Sequence, residues 1–107
     1  MNSENNNLIH LYGSKLDSSQ RKRLKSLGHS LQPVVMVGQK GVSENLLENV
    51  ESALLAHELI KVKVHETSFM EDTAKAIHDT NSAQLVQRIG KMLLFYRAHP
   101  EKPKLKI

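Results

Sequence analysis

The sequence predicts a compact α/β fold, an α-β-α-β-α-β-β sandwich around a four-stranded mixed sheet. Three observations carry this reading. Apolar residues recur at helical spacing in three segments, each opened by a capping residue. Two short runs rich in Val and Ile lie between those segments. The chain then closes with two further strand-like runs separated by Gly90-Lys91, a pair that suits a two-residue hairpin turn. With 107 residues, the chain has room for one domain and one modest core.

Residues 1–14 are rich in Asn and Ser and are expected to form a flexible tail. A helix is predicted from Asp17 to Leu27, with Asp17 or Ser18 as cap and Gln20 completing a capping box. Leu24, Leu27 and Leu31 share one side, while Arg21, Lys22 and Lys25 make the flank cationic. Val34 to Val37 is apolar without alternation, the pattern of a central strand covered on both faces. A second helix runs from Ser43 to His57. Leu46, Leu47, Val50, Ala53 and Leu54 are its inner stripe, and Glu44, Glu48 and Glu51 face solvent.

Leu59 to His65 alternates, with Ile60, Val62 and Val64 on a covered face and Lys61, Lys63 and His65 on a basic one. A third helix, from Phe69 to Thr80, is expected to begin at a Ser68/Glu71 capping box and to bury Met70, Thr73, Ala74 and Ile77. In the hairpin of Gln84–Ile89 and Met92–Arg97, simple alternation groups Leu85, Ile89, Met92, Leu94 and Tyr96 on one face. Gln84, Val86, Arg88, Leu93, Phe95 and Arg97 fall on the other. Residues 98–107, with two prolines and three lysines, read as a mobile basic tail. The single domain therefore spans residues 15–97.

Several function classes lose support at this level. The chain has no cysteine, which excludes disulfides and thiolate metal sites. Its N-terminus lacks the basic and apolar regions of a signal peptide, and no apolar run reaches membrane-spanning length. A cytoplasmic monomer without cofactor or metal is expected. His57-Glu58-Leu59-Ile60-Lys61 begins like a zinc-protease motif, but lysine replaces the second histidine. His57 falls within the apolar stripe and is read as a buried histidine rather than a ligand. The other histidines have no ligand spacing, and the row of glutamates reads as a solvated face rather than a catalytic pair. No catalytic residues are assigned.

The formal charge of +4 favours a polyanionic partner. Gly38-Gln39-Lys40-Gly41 lies between a strand and a capped helix. Glycines let a backbone approach closely, free amides and the helix dipole favour an anion, and Lys40 adds charge at the tip. An ordinary turn has the same local pattern. The spacing fits neither a mononucleotide loop nor a dinucleotide fingerprint, but it matches the GxxG logic that clamps a nucleic-acid backbone. Arg21, Lys22, Lys25, Lys61 and Lys63 extend the candidate RNA-binding surface, with Arg88 and Arg97 dependent on which sheet face is open. The competing class is a protein-interaction module that uses the acidic face of the second helix, or Leu55, with its charge incidental.

Three separated segments carry a family resemblance: Leu27 to Gly41, containing Gln32-Pro33-Val34-Val35-Met36-Val37-Gly38-Gln39-Lys40-Gly41; His57 to Lys63; and Ile89 to Arg97. Their order and content resemble the CRM domain family (chloroplast RNA splicing and ribosome maturation), in its stand-alone bacterial form, over Leu16 to Arg97. The resemblance implies an RNA-binding fold similar to the C-terminal domain of translation initiation factor three. It implies contact through Gly38, Gln39, Lys40 and Gly41 with neighbouring basic residues. It further implies association with large-subunit ribosomal RNA precursors in a pre-ribosomal particle.

Overall fold

The computed structural model describes residues 3–107. Its elements are α1 (Ser3–Tyr12), α2 (Ser18–Gly28), β1 (Pro33–Val37), α3 (Glu44–His57), β2 (Leu59–Val64), a 3-10 turn (Thr67–Phe69), α4 (Met70–Asn81), β3 (Gln84–Ile89) and β4 (Met92–Tyr96). The strands form one mixed sheet in the order β1-β2-β4-β3. β1 runs parallel to β2, as the intervening helix requires, and the other two pairings are antiparallel. Among the described residues, no helix is long and apolar enough to cross a membrane.

The sheet separates two apolar layers. On one side α1, α3 and α4 enclose Val37, Val50, Leu54, Ile60, Val62, Val64, Ile77, Leu85, Leu93 and Phe95. On the other, α2 alone covers a smaller cluster of Leu24, Leu59, Val86, Leu94 and Tyr96, with Leu105 and Ile107 packed against it. Gly28 allows that close approach: a Cβ there would lie 2.6 Å from a Leu94 methyl carbon.

The capping box of Asp17 and Gln20 forms as predicted, as does the Ser43 cap of α3. The inner stripe of α4 is also buried as expected. Its start differs: Thr67–Phe69 winds as a 3-10 turn, and α4 has no side-chain cap hydrogen bond.

The N-terminal segment expected to be flexible is helical over residues 3–12, whereas Met1 and Asn2 lie outside the described residues. Leu8 and Tyr12, one helical turn apart, enter the larger core. Burying side chains of this size contributes about 2 kcal/mol each, enough to offset the weak helix preference of the asparagines. Residues 98–107, expected to be mobile, are also held. Glu58 accepts hydrogen bonds from the backbone N–H groups of His99, Lys104 and Leu105 at 2.7–2.9 Å.

β1 is an edge strand rather than a central one, because β2 pairs with β4 on its other side. Val35 and Val37 are buried, while Val34 and Met36 are 52% and 67% exposed. The hairpin holds a second departure. The register shifts between Leu85 and Gln87, so Val86 is an extra residue on β3. One inserted residue reverses the face of its neighbours. Leu85 thus joins Leu93 and Phe95 in the larger core, and Val86 takes the place expected for Leu85, beside Leu94 and Tyr96.

Candidate nucleic-acid interface

The glycine loop leaves β1 at Val37, whose carbonyl accepts from the backbone N–H of His65 at 2.9 Å. Gly41 closes the turn by donating to the Gly38 carbonyl at 3.1 Å. Gly41 has φ of +73°, and a Cβ there would meet the Phe69 ring at 3.1 Å, so packing and backbone both demand glycine. Gly38 faces open space: a Cβ there would meet nothing within 4 Å beyond its chain neighbours. Gln39 and Lys40 are exposed at the tip.

The start of α3 contributes less than the sequence suggests. Val42 and Ser43 separate it from the loop, and Ser43 Oγ already accepts from the Leu46 N–H at 3.1 Å. Glu44 is exposed in the first turn and would repel an anion. This geometry leaves the loop amides and Lys40, rather than the helix end, open to an anion.

The basic residues separate into structural and outward-facing groups. Arg21 donates to the carbonyls of Gly13, Leu85 and Val86, the last two flanking the β3 bulge. Burial lowers its pKa, but its three carbonyl partners suit a cation. Arg97 binds both carboxylate oxygens of Glu51 at 2.8 Å and the Asn81 carbonyl at 2.8 Å. That hydrogen bonding holds the Glu51 carboxyl below its ordinary value against the opposing effect of burial. It also offsets the charge of Glu51 on the acidic face, where Glu44 and Glu48 remain exposed.

Lys61 donates to the carbonyls of Leu31 at 2.9 Å and His29 at 3.4 Å, tying the end of α2 to the sheet. Arg88 pairs in register with Leu93 and lines a depression with Leu8 and Met70 on the larger-core side. Lys22, Lys25, Lys40 and Lys63 are exposed, as is Arg23, and have no hydrogen-bond or ion-pair partner among the described residues.

The structure thus brings together only part of the predicted set. Lys63 borders a depression with Met36, Val37, Gly38 and His65. Lys25 and Lys61 border a second with His29, Gln87 and Ile89. Both open on the side of the sheet that carries α2. Arg21, Arg88 and Arg97 are directed elsewhere.

His57 is exposed at the end of α3 rather than buried, and its neighbour Glu58 is the buried residue of the pair. The helix ends there with Glu58 at φ 63°, which turns its side chain inward to the C-terminal segment. Among the described residues, no group of three or more His, Cys, Asp or Glu is placed to hold a metal ion.

Comparison with known proteins identifies the family. The profile of the CRS1/YhbY (CRM) domain matches residues 16–97. A probable RNA-binding protein of Pseudomonas aeruginosa is 44% identical over 90 residues, covering 80% of this chain and 85% of the relative. A probable RNA-binding protein of Bacillus subtilis is 34% identical over 94 residues, covering 86% and 98%. The solution structure of a hypothetical protein from Staphylococcus aureus superposes with a TM-score of 0.73 at 30% identity, covering 86% of this chain and 98% of that one. A profile match across most of the chain, with relatives matched over nearly their whole length, settles the family: the chain belongs to the CRS1/YhbY (CRM) domain family.

Proposed function

We propose that the chain is a non-catalytic RNA-binding protein of the cytoplasm that acts, as a monomer, on ribosomal RNA precursors during assembly of the large ribosomal subunit. The observation that carries this reading is the convergence at one end of the sheet. The exposed Gly38–Gly41 loop with Lys40 lies beside Lys63, which has no partner among the described residues. Curated relatives named as RNA-binding proteins support the ligand class. Loop amides and Lys40 hold a phosphate, and Lys63, Lys25 and Lys22 extend the cationic track. The rival protein-docking surface on α3 is weakened because Arg97 neutralises one of its three carboxylates.

Replacing Gln39 and Lys40 together by Asp tests the loop. RNA affinity should fall by about tenfold or more at moderate salt, with a shallower salt dependence and an unchanged melting temperature. Undiminished affinity would refute the loop assignment. Crosslinking in cells followed by sequencing of bound RNA tests the ribosomal assignment, which requires enrichment of large-subunit precursor sequences.

A further inference from the structure

One row of side chains crosses all four strands. Met36 pairs with Lys63, Lys63 with Met92, and Met92 with Ile89. These four residues share the α2-bearing face at the end of the sheet that carries the glycine loop. β1 enters that loop two residues after Met36, and the Val64 N–H binds the Lys91 carbonyl there. α2 stops short of the row. Met36 is 67% and Ile89 50% exposed, Lys63 is exposed, and Met92 is partly so.

This apolar strip is rigidly held, since every member lies on a paired strand. It is about 14 Å wide, three strand spacings. Its charged neighbours favour a polyanion over an apolar peptide. Lys63 lies within it, Lys40 and Lys91 are exposed in the flanking turns, and Lys25 and His29 border it beyond Ile89. Methionine adapts its shape to flat, polarizable partners. A double helix keeps its base faces stacked inside and presents only phosphates, sugars and edges. A single strand can turn roughly two or three bases onto such a platform.

We infer that Met36, Lys63, Met92 and Ile89 form a platform for unpaired bases of single-stranded RNA, with the adjoining loop holding the backbone. This rests on the RNA-binding reading above and adds that the RNA is recognised where it is unpaired. The apolar members carry no phosphate contact, so their loss weakens binding without altering its salt dependence.

The probe is a single-stranded oligoribonucleotide of about twelve nucleotides, used alone and annealed to its complement. Met36→Thr with Ile89→Thr removes the exposed apolar groups and leaves a β-branched residue of good strand preference at both positions, so the melting temperature should hold. The wild type should prefer the single strand. The double variant should lose about tenfold in single-strand affinity with an unchanged salt slope, and its duplex binding should not move. Unchanged single-strand affinity, or an equal loss on both probes, overturns the platform and leaves the strip to a protein partner. If the wild type binds neither probe, the RNA-binding reading falls and takes the platform with it.

Discussion

Arg21 and Lys22 are adjacent cations with opposite roles. Arg21 sends its guanidinium to the carbonyls of Gly13, Leu85 and Val86, joining α1, α2 and the β3 bulge. Lys22 is exposed and has no partner among the described residues. Removing a charged donor from half-buried carbonyls typically costs about 2–3 kcal/mol, whereas removing an exposed cation changes stability little. Arg21→Ala should therefore lower the melting temperature by several degrees, while Lys22→Ala should leave it unchanged and weaken RNA binding. Paired thermal melts and salt titrations of the two variants separate these roles. In sequence the two residues are equivalent members of a basic run. Only the fold, which brings the carbonyls of Gly13, Leu85 and Val86 within reach of Arg21, distinguishes them.

At the scale of elements, the central architecture was legible because local signals agreed with it. Asp17 with Gln20, Ser43 before a helical stripe, and alternation through Ile60, Val62 and Val64 each specify one structure. The departures have physical causes. Val34 to Val37 looks doubly covered, but composition alone does not separate a central strand from an edge strand that leaves Val34 and Met36 exposed on one face. Alternation across β3 assumes an unbroken ladder, and the extra residue Val86 exchanges the faces of Leu85 and Val86. Composition misjudges both terminal segments, because a few long-range contacts hold each: Leu8 and Tyr12 in the larger core, and Glu58 with Leu105 and Ile107 at the C-terminal end.

The polar anchor of the C-terminal segment is Glu58, which is 1% exposed. Burial pushes its carboxyl up, but hydrogen bonds from His99, Lys104 and Leu105 outweigh this and hold it below the ordinary glutamate range. Glu51 is shifted the same way, chiefly by its hydrogen bond from Arg97. A carboxylate lowered in the fold contributes stability that is complete above its unfolded value and disappears as pH falls through the folded value. Melting temperature should therefore hold from about pH 8 to about pH 5 and decline in more acidic solution. Glu58→Gln places an amide donor among backbone donors. It should cost about 2 kcal/mol near neutral pH and flatten the acid decline. A pH series of melts on both proteins checks this, and parallel curves would mean that Glu58 does not drive the acid sensitivity.

Considered whole, the molecule is polarised. The larger-core side is closed by three helices, and its charges are partly neutralised through Arg97 and Glu51. The opposite side is only partly covered by α2, and its open end combines the Gly38–Gly41 loop, Lys63 and the exposed apolar row. The most direct test of this polarity is a titration of the isotopically labelled protein with single-stranded RNA, followed residue by residue through backbone amide resonances. The largest shifts should fall at Gly38 to Gly41, Met36, Lys63 and Ile89, with Glu44 and Glu48 on α3 unmoved. Shifts centred on the acidic face of α3, or none at saturating RNA, would contradict it.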